Sequence, residues 1–277
     1  MKITKSNLVG IVSLASLVLG STSAFAAPVG TAKTKGEITF TERTGGGDGN
    51  VLLPSQPPVI VTPVDPSPST PAGPLMITDA PKFDFGTVEI SGKDELYSAK
   101  TSAYFKVVDG VTTSDKIYSA PIVQIEDVRK DTATQTWALA VSATPFKTVS
   151  DAELTGAEIR VQNKGIVFNN SVASPGDKNP VGISTTTSGY TIGSSPKVVM
   201  SSAAGKGNGK SSLVLDSGFK NDGTKADGSA YTETDKIDDV QLFVPITANK
   251  VKDTVYTSTI TWSLYNTPEA IGTTPAA

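Results

Sequence analysis

Thr134-Gln135-Thr136-Trp137-Ala138-Leu139-Ala140-Val141 sets its large apolar side chains at alternate positions, the spacing of a β-strand and not of a helix. In a strand, successive side chains point to opposite faces, so Trp137 and Leu139 share one face. A second stretch, Thr259-Ile260-Thr261-Trp262-Ser263-Leu264, repeats the arrangement with Trp262 and Leu264. These two stretches hold both tryptophans of the 277-residue chain. Each presents a broad aromatic plate beside an aliphatic group.

The same alternation extends outward in both directions. Residues 75–78, 84–91, 98–108, 121–128, 134–143 and 158–161 are rich in Val, Ile, Thr, Phe and Tyr and read as strands. Residues 197–200, 211–215, 240–246 and 255–264 continue the series. Turn pairs such as Asp109-Gly110 and the triplet Asn163-Lys164-Gly165 punctuate it. No long segment carries helical periodicity, and residues 150–157 have room for about one helical turn. The expected fold is all-β: a sandwich-like antiparallel domain with long Gly/Ser-rich loops and a Pro-rich N-terminal arm.

Composition divides the chain further. Lys2 and Lys5, an apolar run over residues 8–19 and Ala24-Phe25-Ala26 together read as a secretory signal peptide, residues 1–26, cleaved after Ala26. Residues 27–43 hold one expected strand, Gly36-Glu37-Ile38-Thr39-Phe40-Thr41, which joins the main sheet. Residues 44–74 open on Gly45-Gly46-Gly47 and carry eight prolines between Pro54 and Pro74, so an unpaired, semi-stiff spacer is expected there. The β-domain is placed at residues 75–268, with residues 171–239 as a loop-rich surface insertion and residues 269–277 as a flexible tail.

Charge and missing residue types exclude whole classes of function. After cleavage, 22 basic residues face 27 acidic ones, so the footprint needed to bind phosphate backbones or anionic lipid is absent and no nucleic acid partner is expected. The chain has no cysteine and no histidine. That removes the Ser-His-Asp triad, the Cys nucleophile, His-ligated metal centres, disulfides and acylation of an N-terminal Cys. Asp94-Glu95 and Asp238-Asp239 are carboxylate neighbours, yet adjacent strand residues point to opposite faces and do not make a glycosidase pair. Asp216, Asn221, Asp222 and Asp227 fit no EF-hand spacing and read as acidic turns. The expectation is a non-enzymatic protein with no cofactor and no metal. Residues 266–277 are short and polar, without a stop-transfer run or a basic sorting tail. The mature chain is therefore expected to have no transmembrane segment and to be held by its folded surface.

The ordered set of motifs resembles the WxL-domain family of Gram-positive bacterial cell-surface proteins. Trp137-Ala138-Leu139 and Trp262-Ser263-Leu264 are its two signatures. Asp127-Val128-Arg129 precedes the first, and the run Val255-Tyr256-Thr257-Ser258-Thr259 leads into the second, with Pro268 beyond it. Phe83-Asp84-Phe85-Gly86 and the Pro-rich spacer resemble the family's N-terminal portion. The long Gly/Ser-rich stretch between the signatures departs from the pattern, which puts partner choice in doubt more than retention.

The resemblance implies a secreted, cell wall-associated protein attached non-covalently through peptidoglycan. It also implies a surface complex with other WxL-type proteins and a membrane-anchored companion protein, and host extracellular matrix proteins are a further class of partner. The wall-binding residues it implies are Trp137, Leu139, Trp262 and Leu264, supported by Asp127 and Arg129. Residue chemistry leaves two readings of the Trp-Leu pairs open: rings that stack on sugars and peptide edges, or plates that fill a sandwich core. Asp127 and Arg129, two apart on one strand face, are open in the same way, as ligand contacts or as a fold-stabilising pair. The rival function is a protein-binding adhesin or structural surface subunit retained through an anchored partner.

Overall fold

β-Branched and aromatic residues at alternate positions, broken by Gly, Asn and Asp, build a succession of strands, with no helix among the described residues. A computed structural model describes residues 51–66, 73–129, 134–171 and 174–266. The leader at 1–26, the strand expected at 36–41, residues 44–50 and 67–72 of the spacer and the tail at 269–277 lie outside the described residues.

The strands in chain order begin with β1 (Val51–Leu53), β2 (Val59–Pro63), β3 (Leu75–Asp79), β4 (Glu95–Lys100), β5 (Ser102–Val108) and β6 (Val111–Ser119). Next come β7 (Ile122–Asp127), β8 (Trp137–Ala143), β9 (Glu158–Val161), β10 (Ile166–Ser171), β11 (Ser174–Lys178) and β12 (Ile183–Thr185). The last are β13 (Tyr190–Ile192), β14 (Lys197–Ser202), β15 (Gly209–Val214), β16 (Lys236–Val244) and β17 (Ile260–Tyr265). They form four antiparallel sheets ordered β1-β2-β5-β6, β11-β10-β15-β7-β3, β12-β14-β8-β17 and β13-β9-β16-β4. The fold is all-β and sandwich-like, as the alternation predicts. No helix among the described residues is long and apolar enough to cross a membrane.

The five-stranded sheet is central because both its faces are buried. In β7 every residue is buried, and alternate side chains serve different cores: Val123 and Ile125 enter the larger one, Ile122 the smaller. Val167 and Leu213 follow Val123, while Phe168 and Val214 follow Ile122. The larger core is completed by the two sheets that carry β8 and β16, and the smaller by Val51, Val61 and Tyr104 of the first sheet.

Gln124 is one of the polar side chains that join the first sheet to the central one. Gln124 has no exposed surface, and its position in β7 aims it into the smaller layer. Its Nε2 donates to the Leu52 carbonyl at 2.7 Å and to Ser212 Oγ at 2.8 Å, while Leu52 N donates to its Oε1 at 3.1 Å. The amide thus acts as a surrogate strand rung for β1, whose outer edge otherwise has no ladder partner among the described residues.

Four expectations are corrected. Residues 51–53 and 59–63, expected to be an unpaired spacer, form β1 and β2, because Val51, Leu53 and Val61 supply apolar anchors between the prolines. Residues 84–91, expected to be a strand, have no ladder partner. Their neighbours still alternate, with Pro81, Phe83 and Phe85 turned in and Lys82, Asp84 and Gly86 turned out. Residues 150–157 make turns around a single bridge, Lys147 to Glu153, and no helical turn. The stretch 171–239 is not surface decoration: it contributes β15 to the middle of the central sheet and places Met200, Leu213, Phe219 and Tyr231 in the cores.

Candidate functional site

β8 and β17 are adjacent and antiparallel, with Leu264 opposite Leu139 and Trp262 opposite Val141. Directly paired residues share a face, so both Trp-x-Leu signatures point to the same side of one sheet, onto the larger core. Their surroundings differ sharply. Trp137 and Leu139 have no exposed surface, whereas Trp262 and Leu264 are partly buried on β17, the edge strand of that sheet.

Trp137 is sealed by the loop before β15. Gly207, at φ +79°, passes so close that a Cβ there would sit 2.8 Å from the indole Nε1 and Cζ2. The Trp137 backbone N donates to Ser202 Oγ at 3.0 Å on β14. As members of a wall-contacting face, Trp137 and Leu139 are corrected: the pair fills the core, covered by the central sheet's Val123, Ile125 and Leu213 and by the Gly207 loop.

Asp127 and Arg129 form a bidentate pair, Arg129 Nε to Oδ1 at 2.9 Å and Nη2 to Oδ2 at 2.7 Å. The Arg129 guanidinium also donates to the Thr136 carbonyl at 3.0 Å. This clamp ties the end of β7 to the residue entering β8, so its place is behind the first signature and not on a ligand face. Side-chain exposure of 2% for Asp127 and 11% for Arg129 supports that placement.

Trp262 opens instead onto a groove of about 1610 Å³. Ile260 and Trp262 form one wall, and the stretch 81–90, which joins no strand ladder, forms the other, with Tyr97, Phe146 and Tyr256 between them. Phe83, Phe85 and Phe146 run along it as an aromatic row with centroids 6.4 Å apart at each step. Tyr256 is fixed by donating its hydroxyl to the Asn249 carbonyl at 2.8 Å and accepting from Val251 N at 3.0 Å. On the rim, a hydrogen bond from Lys100 holds the Asp84 carboxyl below its ordinary range, against a smaller opposing effect of burial. Sequence reasoning missed Phe146 and Tyr97, which no local spacing ties to Trp262; Tyr256 stands in the run leading into the second signature but is not singled out as a site residue.

The carboxylates weighed for catalysis or metal binding are occupied elsewhere. Asp238 accepts from Ser98 Oγ at 2.6 Å, and Asp94 accepts from Ile246 N at 2.7 Å. Asp222 and Asp227 each bind the backbone N–H two residues on, as turn-forming carboxylates do.

An all-β domain with an aromatic groove on a sheet edge is the architecture of a binding module. Residues 27–268 match the family model described as WxL domain surface cell wall-binding, and the chain belongs to that family. The family is one of wall-binding surface domains, not of enzymes, and it places the chain at the cell wall, outside the cell. No curated protein and no solved structure matches the chain.

Proposed function

We propose that the chain attaches to the wall by non-covalent binding of peptidoglycan in the groove walled by Trp262. The observation that carries this reading is the asymmetry of the two signatures: one is sealed in the core, while the other borders an open aromatic groove on an edge strand. Indole and phenyl faces bury large area at little entropic cost and accept both sugar faces and apolar peptide edges. Export through the leader, and assembly with other WxL-type proteins and a membrane-anchored companion, complete the reading.

The test is co-sedimentation of the mature protein with purified, protein-free sacculi. Wild-type protein is expected to pellet, and Trp262→Ala to remain in the supernatant at a temperature where it is still folded, with a smaller loss of stability than Trp137→Ala. Trp262→Ala pelleting like wild type would overturn the assignment of the groove. A second reading, retention through an anchored protein partner, is favoured by exposed apolar side chains beside the groove, Ile90 at 58% and Val255 at 75%. It predicts that wild-type protein stays in solution with bare sacculi.

A further inference from the structure

β17 ends its sheet, so half of its backbone groups have no strand to meet among the described residues. The register says which half. In an antiparallel pair, alternate residues exchange both hydrogen bonds and those between turn theirs away. Thr144 N donates to the Thr259 carbonyl at 3.0 Å, so the 259/144 pair is of the bonded kind. One residue on, Ala143 N donates to the Gly193 carbonyl at 2.7 Å and not to its partner Ile260. Ile260, Trp262 and Leu264 therefore aim their N–H and C=O groups at the free edge. A spacing of two puts the side chains of Trp262 and Leu264 on one face and their backbone groups on one edge at the same time.

The opposite wall of the groove is complementary. Residues 81–86 alternate in burial, the Asp84 carbonyl accepts from Lys100 N at 2.8 Å and Gly86 turns the chain at φ +80°; from 87 to 90 the backbone makes no hydrogen bond to any other described element. Trp262 Nε1 is shielded from solvent and has no acceptor among the described residues. A groove with unpaired polar backbone along β17 and along 87–90, and aromatic side chains between them, has the features of a slot for an extended peptide, bound by strand addition. The rim carries both signs, with Lys82 and Lys252 against Glu89 and Asp253, which suits a peptide bearing carboxylates and an ammonium group.

We infer that the groove binds the peptide arm of the wall polymer, laid as a strand along β17, and not its glycan. The inference rests on the wall-binding reading above and narrows it to one moiety.

The test is displacement from intact sacculi by soluble fragments of the same wall. Stem peptide is expected to release the full-length mature protein at concentrations at least tenfold lower than peptide-free glycan strands. The same peptide N-methylated at its backbone amides, which keeps side chains and charge but removes the donors, is expected to lose that potency. Release by glycan strands alone, or by neither fragment, overturns the peptide assignment while leaving wall binding intact. Equal potency of the N-methylated peptide overturns strand addition. Failure of the protein to pellet at all is the separate outcome that removes the wall-binding reading itself.

Discussion

At Asp127 and Arg129, two charges are held almost out of water beside the first signature. A buried pair of this kind is weak evidence for stability as a whole, but removing one member strands the other in a low-dielectric site. Arg129→Ala is therefore expected to cost about 3–5 kcal/mol in denaturant unfolding. Asp127→Ala with Arg129→Ala together should cost less than the two single changes summed, and a simple additive result would show the two groups to be uncoupled. Trp137 makes a different demand. Its ring fills core volume against Gly207, so Trp137→Ala is expected to cost about 3–5 kcal/mol. Gly207→Ala should also destabilise, through steric contact with the ring and a left-handed φ that alanine adopts poorly. Any loss of wall binding in Trp137→Ala would then follow its loss of fold, in contrast to Trp262→Ala.

Among the elements, β1 shows most clearly what local sequence hides. Val51-Leu52-Leu53 sits among glycines and prolines, and local reading makes it part of a spacer; the partner that orders it is Gln124, 72 residues on. Gln124 itself lies in an apolar run where a polar residue reads as a misfit, and only the three-dimensional arrangement gives it Leu52 and Ser212 as partners. Gln124→Ala is expected to leave the Leu52 rung and Ser212 buried without partners and to cost about 2–3 kcal/mol. Hydrogen exchange should show protection at Leu52 falling well before that of β7; equal protection in both forms would remove the clasp from the account. The same limit explains the rest of what was missed. The period of two identifies β7, β8, β14 and β17 directly from side-chain pattern, but it is silent on which strands are neighbours. It therefore yields two Trp-x-Leu strands without showing that they pair, or that pairing buries one signature and leaves the other at an edge. Residues 84–91 show the converse: their pattern is strand-like, and what they lack is a partner.

Over the whole molecule, the absence of histidine and cysteine leaves no side chain whose ordinary pKa lies between pH 5 and 8. The fold creates one. Asp79, at the bulge in β3, is 4% exposed and accepts from the Tyr104 hydroxyl at 3.0 Å across the gap between the central and first sheets. Burial pushes its carboxyl up to about 7, with the Tyr104 bond and the Ala80 backbone opposing the shift. The folded state therefore holds the proton more tightly than the unfolded chain does. The stability linked to it is fully present below about pH 4 and is lost as pH rises through about 7, on the order of 4 kcal/mol in all. Asp84, Asp222, Asp227 and Asp235 are shifted the other way, each chiefly by hydrogen bonds to its carboxylate. Their contribution is present above the ordinary carboxylate range and lost as pH falls below it, so it leaves the window from pH 4.5 to 7.5 almost undisturbed. The midpoint of denaturant unfolding is expected to fall steadily across that window. In Asp79→Asn, which keeps an acceptor for Tyr104 and carries no charge, the midpoint should be flat over the same range and higher than wild type at pH 7.5. A wild-type midpoint that stays level from pH 4.5 to 7.5 would mean that Asp79 is hydrated in solution, and that the junction between the two sheets is open there.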